Sequence, residues 1–362
     1  MTRRERFLNT LNYQPVDRRT VYLAGPWPDT LARWKQEGLP AEVTDVHEYL
    51  GVADYGTPVK NISSNAGLHP VFERKKLRED DEFIYHFDHY GRTVKDFKHR
   101  TSFPEWLDFP VKEPADLRRI LDERYNMDNL DERFPADWEA QVKAAEQRGD
   151  VIEIQGGCYY WTLRSLADVD GACYLLYDAP ELVKEMFDRY FTVVMYSLRR
   201  AVKLVKIDRI GFGEDFAYKN GPLLSPAMFR EMILPYYRQV MELAHAHDIR
   251  LTWHDSDGDY RLLLPDMLAV GVNSTCPCEV AASMDPVELR RQFGKELRIG
   301  GGFDKRIVAA GKDAIAAEFK RLQPVIEEGG FIPGIDHSIP ADVSYDNYRY
   351  YLDTLIAMAN KV

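Results

Sequence analysis

The chain has 362 residues, of which 45% are hydrophobic and 29% are charged, and its formal net charge at pH 7 is −11. An acidic chain without a basic stripe is a poor partner for nucleic acid or for an anionic membrane. The sequence has neither the apolar run of a signal peptide nor an apolar stretch long enough to span a bilayer, so we expect a cytoplasmic protein. The length suits one large α/β domain over residues 1–362.

The N-terminal third predicts a helical extension, a first strand and an inserted hairpin. Thr2 and Glu5 form a capping box for the first helix. A strand is expected at 20–23. Within 69–98 the pattern shifts to the period of two that is typical of strands, so we interpret this stretch as a β-hairpin excursion. Residues 104–108 are expected to form a loop.

From Val151 onward, strands and helices alternate along the chain. Strands are expected to begin near residues 151, 209, 250, 272, 297 and 331, with helices between them, including helices at 180–206 and 259–269. Together with 20–23 these give seven strands, and a further one is expected near 59–62. This alternation predicts a parallel sheet wrapped by helices.

Ionisable side chains follow three of the predicted strands. They are Glu214 and Asp215, His254 and Asp257, and Asp336 and His337. If the strands form a parallel barrel, their carboxyl ends meet at the rim where such barrels hold active sites, so these side chains should converge. Burying unpaired carboxylates costs several kcal/mol, so the acidic loop after His254 is expected to be solvated, paired or facing a metal.

A metal site is suggested by the strand that follows His254, because it ends in Cys276, Cys278 and Glu279. An imidazole, two thiols and several carboxylates at one rim are a ligand set that suits zinc. Each residue by itself is more often structural, since a buried cysteine usually packs as a small hydrophobic side chain. The four cysteines of the chain do not suggest a disulfide framework, and the close pair favours a ligand or a nucleophile.

Aromatic residues after two of the strands suggest a substrate pocket. Tyr159 and Trp161 follow the glycine turn that ends the strand near 151, and Tyr218 with Lys219 follows the strand near 209. Packing in the hydrophobic core is an equally good interpretation of Tyr159 and Trp161.

Several motifs over nearly the whole chain carry a family resemblance. They are Arg4-Glu5-Arg6-Phe7 with Pro15-Val16-Asp17-Arg18, Gly156-Gly157 with Thr162-Leu163, Leu224-Ser225-Pro226 with Leu234-Pro235-Tyr236, Gly300-Gly301-Gly302-Phe303-Asp304-Lys305, and Asp336-His337-Ser338-Ile339-Pro340. In these motifs the sequence resembles the uroporphyrinogen decarboxylase superfamily, which includes cobalamin-dependent methyltransferases. The resemblance implies an α/β fold of the (β/α)8 TIM-barrel type, here with an N-terminal helical extension and a β-hairpin insertion.

The methyltransferase branch of the superfamily implies transfer of a methyl group from a small methoxylated or methylated substrate to a corrinoid protein, assisted by zinc. The implied zinc ligands are His254, one or more of Cys276, Cys278 and Glu279, and a group of Asp336-His337. Ser256 stands where the family's His-x-Cys pair has its cysteine. A general acid, Asp257 or Glu214, would assist departure of the leaving group, and the partner's cobalamin would supply the nucleophile. The candidate catalytic residues are Glu214, Asp215, Asp257, Asp304 and His337.

The decarboxylase branch of the superfamily gives the alternative function, that of a carboxy-lyase acting on a tetrapyrrole. The chain matches that branch at His337 and Asp304. It has Leu23-Ala24-Gly25-Pro26-Trp27 in place of the arginine-bearing turn that holds porphyrinogen carboxylates. A second alternative is a barrel that binds a small ligand and catalyses nothing.

Overall fold

A ring of parallel strands forms the centre of the protein, and the strands are arranged around the ring in chain order. The computed structural model describes residues 1–56, 58–98 and 104–361. In that part of the chain the ring strands are Val59–Asn61, Val151–Gly157, Arg209–Gly213, Leu251–Asp255, Ser274–Thr275, Arg298–Phe303 and Phe331–Ile335. The predicted (β/α)8 barrel is confirmed, and the strand expected near 59–62 is one of its members.

Two parallel bridges connect the two halves of the ring. The first four strands form one sheet and the last three form another. Asp255 is bridged to Cys276, and Tyr22 is bridged to Gly334. The Asp255 bridge makes the two sheets neighbours, and the Tyr22 bridge places the first strand position beside the last strand. The carboxyl ends of the strands therefore surround one opening.

The first strand position is the weakest part of the ring. The Val21 amide donates to the Tyr55 carbonyl at 3.0 Å, which connects this position to the segment before Val59–Asn61. The strand predicted at 20–23 is reduced to the single bridge at Tyr22. A glycine and a proline follow almost at once, and a proline cannot donate a ladder hydrogen bond.

Helices cover the outside of the ring. After the N-terminal helix Arg3–Leu11 they are Pro28–Gln36, Val46–Tyr49, Pro114–Arg124, Trp138–Arg148, Tyr159–Asp178, Pro180–Ala201, Pro226–Met232, Leu234–Ala246, Leu264–Ala269, Pro286–Phe293, Lys305–Ala310, Lys312–Glu328 and Tyr345–Ala359. The helix predicted at 259–269 begins only at Leu264, because Pro265 is suited to the first turn of a helix. Within the described residues, no helix is both long and apolar enough to cross a membrane.

The N-terminal helix closes one end of the barrel. Phe7 and Leu11 on its buried face pack in a small apolar cluster with residues at or near the starts of three strands. Those residues are Val151, Leu251 and Ile332. The helix therefore covers the amino-terminal end of the barrel. The carboxyl-terminal end of the strands remains open for a binding site.

The insertion between the first two strands of the ring is larger than predicted. It forms an antiparallel sheet of four sequential strands, which are Lys75–Glu79, Phe83–Phe87, Thr93–Phe97 and Glu105–Asp108. The hairpin expected within 69–98 is present, but the loop expected at 104–108 is wrong, because Trp106 pairs with Val94. This last strand is short, and its partner lies across residues 99–103, which are outside the described part of the chain.

Candidate active site

Two adjoining cavities open at the carboxyl ends of the barrel strands. Their volumes are about 530 Å³ and about 330 Å³. Trp161, Asp215 and Asp257 line both cavities, so the cavities meet at these residues. Cavities of these sizes suit a small-molecule ligand. This mouth is the candidate active site.

The alternation of side chains along the strand Leu251–Asp255 decides which of them reach the mouth. Successive residues of a strand point to opposite faces. His254 and Ser256 are fully buried, whereas Asp255 and Asp257 line the smaller cavity. The carboxylates therefore face the inside of the barrel, and the imidazole points away from it.

His254 lies in an aromatic environment behind the strand. The rings of Phe216, Tyr237 and Tyr260 surround it at centroid distances between 5.2 and 6.4 Å. Neither ring nitrogen of His254 has a hydrogen-bond partner. Burial lowers the pKa of His254 to about 3, so the ring is neutral. The structure therefore does not place this predicted zinc ligand at the mouth.

The other predicted zinc ligands are also separated. Cys276 and Cys278 are buried, and burial raises the pKa of both thiols. The Asp336 carboxylate accepts hydrogen bonds from the backbone amides of Val280 at 3.1 Å and Lys305 at 3.0 Å. The predicted grouping of these residues with His254 is revised, because alternation along the strands directs their side chains to different surroundings.

A different group of potential ligands meets at the mouth. One ligand atom from each of Asp257, Glu279 and His337 lies within 4.8 Å of the others, and the described residues contain this one group. The Asp257 carboxylate is 3.8 Å from His337 Nε2, and the Lys305 ammonium is 3.5 Å from the Glu279 carboxylate. Glu279 was predicted as a metal ligand and Asp257 as a catalytic residue, while His337 was predicted as a catalytic residue and belongs to the pair Asp336-His337 that was expected to supply a ligand. The structure combines the three.

Backbone contacts between strand ends hold these side chains in place. Asp215, at a left-handed φ of 45°, accepts the Asp257 amide at 3.0 Å. Gly258 donates its amide to Glu279 at 3.1 Å. A Cβ at Gly258 would lie 2.5 Å from the Ala217 carbonyl, and the φ of 83° is also one that favours glycine. Glycine is therefore required where the chain leaves Asp257.

The mouth carries excess negative charge. Burial in the mouth and the nearby carboxylates raise the pKa of Asp257 to about 7. Asp255 is open to the cavity but surrounded by protein, and this burial raises its pKa to about 6. Burial and the repulsion between these carboxylates both disfavour the ionised forms, so a proton or a metal ion would stabilise the group.

Replacing Asp257 with asparagine should change how stability depends on pH. The pKa of Asp257 is raised from 3.8 to about 7, so over that range the folded protein holds a proton that the unfolded chain releases. The stability contributed by this proton is full below the lower value and is lost as the pH rises to the upper one. We expect the free energy of unfolding of Asp257→Asn, relative to wild type, to increase across this range in urea titrations without metal. A constant or falling difference would contradict this expectation.

Glu214 anchors the helix that forms one wall of the mouth. Its carboxylate accepts the backbone amides of Tyr159 at 3.0 Å, Tyr160 at 2.7 Å and Trp161 at 3.4 Å, and the Tyr237 hydroxyl at 2.9 Å. Burial raises the pKa of Glu214 to about 7, although these donors favour the ionised form. Both carboxylate oxygens accept hydrogen bonds. Glu214, which was predicted to be catalytic, therefore positions the start of this helix.

Asp304 also has a structural position. Its carboxylate accepts the Arg306 amide at 2.9 Å and pairs with the Arg306 guanidinium at 2.6 Å. It caps the helix Lys305–Ala310 and is not among the described residues that line the two cavities. Helix capping explains why an aspartate follows this strand.

The predicted substrate-binding residues divide into two groups. Trp161, Tyr218 and Lys219 line the larger cavity. Tyr159 is fully buried among other aromatic rings, including Tyr236 at a centroid distance of 4.9 Å, so it belongs to the core. The sequence left open whether these two residues pack in the core or line a pocket. Tyr159 packs in the core, and Trp161 lines the cavity.

Sequence reasoning missed several residues of the mouth. These are Tyr22, Arg92, Trp106, Cys158, Arg164 and Asp255. Asp255 could have been found by applying the alternation of side chains to the strand that ends there. Arg92 and Trp106 belong to the insertion, and nothing in their local sequence indicates that the inserted sheet reaches the mouth.

Comparisons with known proteins agree with this architecture. The sequence profile of the family described as "Uroporphyrinogen decarboxylase (URO-D)" matches residues 111–357, which is more than half of the chain. Among solved structures, a methyltransferase from Methanosarcina mazei superposes with a TM-score of 0.53 over 98% of both chains, at 15% sequence identity. At that identity the likeness concerns the fold. No curated protein matches the sequence significantly. The chain belongs to the uroporphyrinogen decarboxylase family.

Proposed function

We propose that the protein is a methyltransferase that moves a methyl group from a small methoxylated or methylated substrate to a corrinoid protein, assisted by zinc. The observation that carries this proposal is the charge of the smaller cavity. Glu214, Asp215, Asp255 and Asp257 line it, and no arginine or lysine among the described residues does so. An acidic pocket of this kind favours a neutral ligand and a bound cation.

The same charge disfavours decarboxylation of a tetrapyrrole with many carboxylates. Such a substrate needs arginines or lysines around it, because each buried carboxylate must be paired. Arg92 and Arg164 line the larger cavity, but their charges are paired with Asp88 at 2.7 Å and with Asp215 at 3.5 Å. Lys219 is the one other lysine or arginine among the described residues that line the two cavities, so the mouth offers few cations to a substrate with many carboxylates.

The residues present fit zinc. Two carboxylates and one imidazole, contributed by Asp257, Glu279 and His337, are the ligand types of catalytic zinc sites that keep one position open. When bound there, zinc would act as a Lewis acid on the oxygen or nitrogen that loses the methyl group. The stacking of the His337 ring on Trp27, at a centroid distance of 6.4 Å, keeps the imidazole at the mouth.

The chain's own residues leave the nucleophile to a partner. Cys158 lines the smaller cavity, but burial raises the pKa of its thiol well above the usual value, so it remains a weak nucleophile. In methyl transfer from an ether, the methyl–oxygen bond breaks. The oxygen keeps the electron pair of that bond and takes a proton from solvent. The methyl passes to the nucleophile that the corrinoid partner supplies. The barrel has to bind, orient and activate the donor.

Metal analysis combined with a methyl-transfer assay tests the proposal. We expect about one zinc per chain in the purified protein. We also expect methylcobalamin absorbance when the protein is mixed with a reduced corrinoid protein and a panel of methoxylated arenes and methylamines. The matched control is the same mixture after removal of zinc by a chelator, which should lose activity and regain it when zinc is added.

Two results would overturn the proposal. One is the release of carbon dioxide from uroporphyrinogen by the protein alone, with no methylation from any donor. The other is binding of donors without any turnover in the presence of zinc and reduced corrinoid protein, which would indicate a barrel that only binds a small ligand.

A further inference from the structure

The inserted sheet supplies part of the wall of the larger cavity. Trp106 comes from its last strand, Glu105–Asp108, and Arg92 precedes its third strand. Phe109 follows directly and lines the same cavity. The insertion is therefore part of the binding site, although it lies outside the barrel.

Arg92 is fixed behind this wall. Arg92 is 7% exposed, and its Nε donates to the Asp88 carboxylate at 2.8 Å. The same carboxylate accepts the backbone amides of Tyr90 at 2.9 Å and Arg92 at 3.0 Å. The guanidinium carbon lies 4.7 Å from the centroid of the Trp106 ring. Arg92 is thus a positioning residue that holds the indole of Trp106 at the cavity.

A second indole is held in a similar way on the barrel side. Trp161 lines both cavities, and the guanidinium carbon of Arg164 lies 4.7 Å from its ring centroid. Arg164 is itself fixed by donation to the Asp215 carbonyl at 2.9 Å. Two indoles, each with a guanidinium against it, therefore line the cavity that also contains Asp257 and Glu279.

We infer that Trp106 and Trp161 bind a planar aromatic ring, so that the methyl donor is a methoxylated arene. This inference rests on the proposed function and specifies its substrate class. Flat aromatic surfaces favour a ring that can stack on them. Recognition of the donor rests on the planar ring and not on charge, because carboxylates and cations both line this cavity. The methoxy oxygen would lie toward Asp257 and keep the electron pair of the broken bond.

Calorimetric titration of the zinc-loaded protein with methoxybenzene and methoxycyclohexane tests the inference without turnover. The two ligands carry the same methoxy group, but one ring is planar and the other is puckered. We expect methoxybenzene to bind about tenfold more tightly, and Trp106→Ala to remove most of that preference. Trp106→Phe, which retains a ring, should keep the preference. Leu107→Ala is the matched control, because Leu107 is the next residue on the same strand and is 46% exposed.

The outcomes separate the inference from the proposed function. Equal binding of the two ligands by wild type, or an unchanged preference in a folded Trp106→Ala variant, would refute the aromatic site while leaving methyl transfer from other donors possible. A preference that depends on Trp106 supports the aromatic site even if no methyl transfer is found. In that case the proposed function fails and the ligand class stands.

Discussion

Replacing His337 with alanine should remove stoichiometric zinc and lower the rate of methyl transfer about a thousandfold, because Lewis-acid activation is worth several kcal/mol of transition-state stabilisation. His337 is the one nitrogen ligand in the group with Asp257 and Glu279. Its loss would leave two carboxylates, which hold zinc poorly without an imidazole. The measurements are the zinc content of the purified variant and its rate of methylcobalamin formation.

A second histidine provides the control for this experiment. His247 is exposed and lies just before the strand Leu251–Asp255, at the opposite end of the barrel from the mouth. His247→Ala should retain zinc and activity. Full zinc content and full activity in His337→Ala would show that the metal site is assigned wrongly.

Replacing Glu214 with alanine should destabilise the protein by at least about 3 kcal/mol, because four donors, three of them buried, would lose their acceptor. These donors are the backbone amides of residues 159–161 and the Tyr237 hydroxyl. Each buried donor that is left unpaired costs about 1–3 kcal/mol. The free energy of unfolding in urea, compared with that of wild type, measures the effect.

Another glutamate near a helix start serves as the control for this loss. The Glu181 side chain is 86% exposed in the first turn of the helix Pro180–Ala201. Glu181→Ala should change the free energy of unfolding by less than about 0.5 kcal/mol. If Glu214→Ala were as mild as this control, the carboxylate would not be the anchor of its helix.

Local signals in the sequence predicted the start of several helices correctly. The capping box at Thr2 and Glu5 is present, with the Glu5 amide 3.1 Å from Thr2 Oγ1 and the Thr2 amide 2.7 Å from the Glu5 carboxylate. Ser225 caps the helix Pro226–Met232 through the Met228 amide at 3.1 Å. Such contacts join residues three apart, so the residue types alone determine them.

The face of a buried strand was harder to predict. Both faces of Leu251–Asp255 are covered by protein, so hydrophobicity does not show which residues point inward. The imidazole of His254 was expected at the mouth, yet the carboxylates of Asp255 and Asp257 are there. The convergence of the strand ends was predicted correctly, while the assignment of individual ligands depended on the unknown face.

The contribution of the insertion could not be predicted from local sequence. Trp106 reaches the cavity because its strand pairs with Thr93–Phe97 and because this edge of the sheet, with Arg92, lies at the mouth. Both relations are made between residues distant in the chain. An alternating pattern indicates a strand but not the element against which that strand finally packs.

The position of the inserted sheet also bears on how a new substrate preference arises by mutation. All four of its strands lie between Asn61 and Val151 in the sequence. Within the described residues, they form ladder hydrogen bonds only with each other. A change of residue, length or turn in this segment therefore leaves the hydrogen-bond register of the barrel as it is. Variation in the cavity wall can accumulate in the inserted sheet while the barrel retains Asp257, Glu279 and His337, so one scaffold can come to bind different ligands.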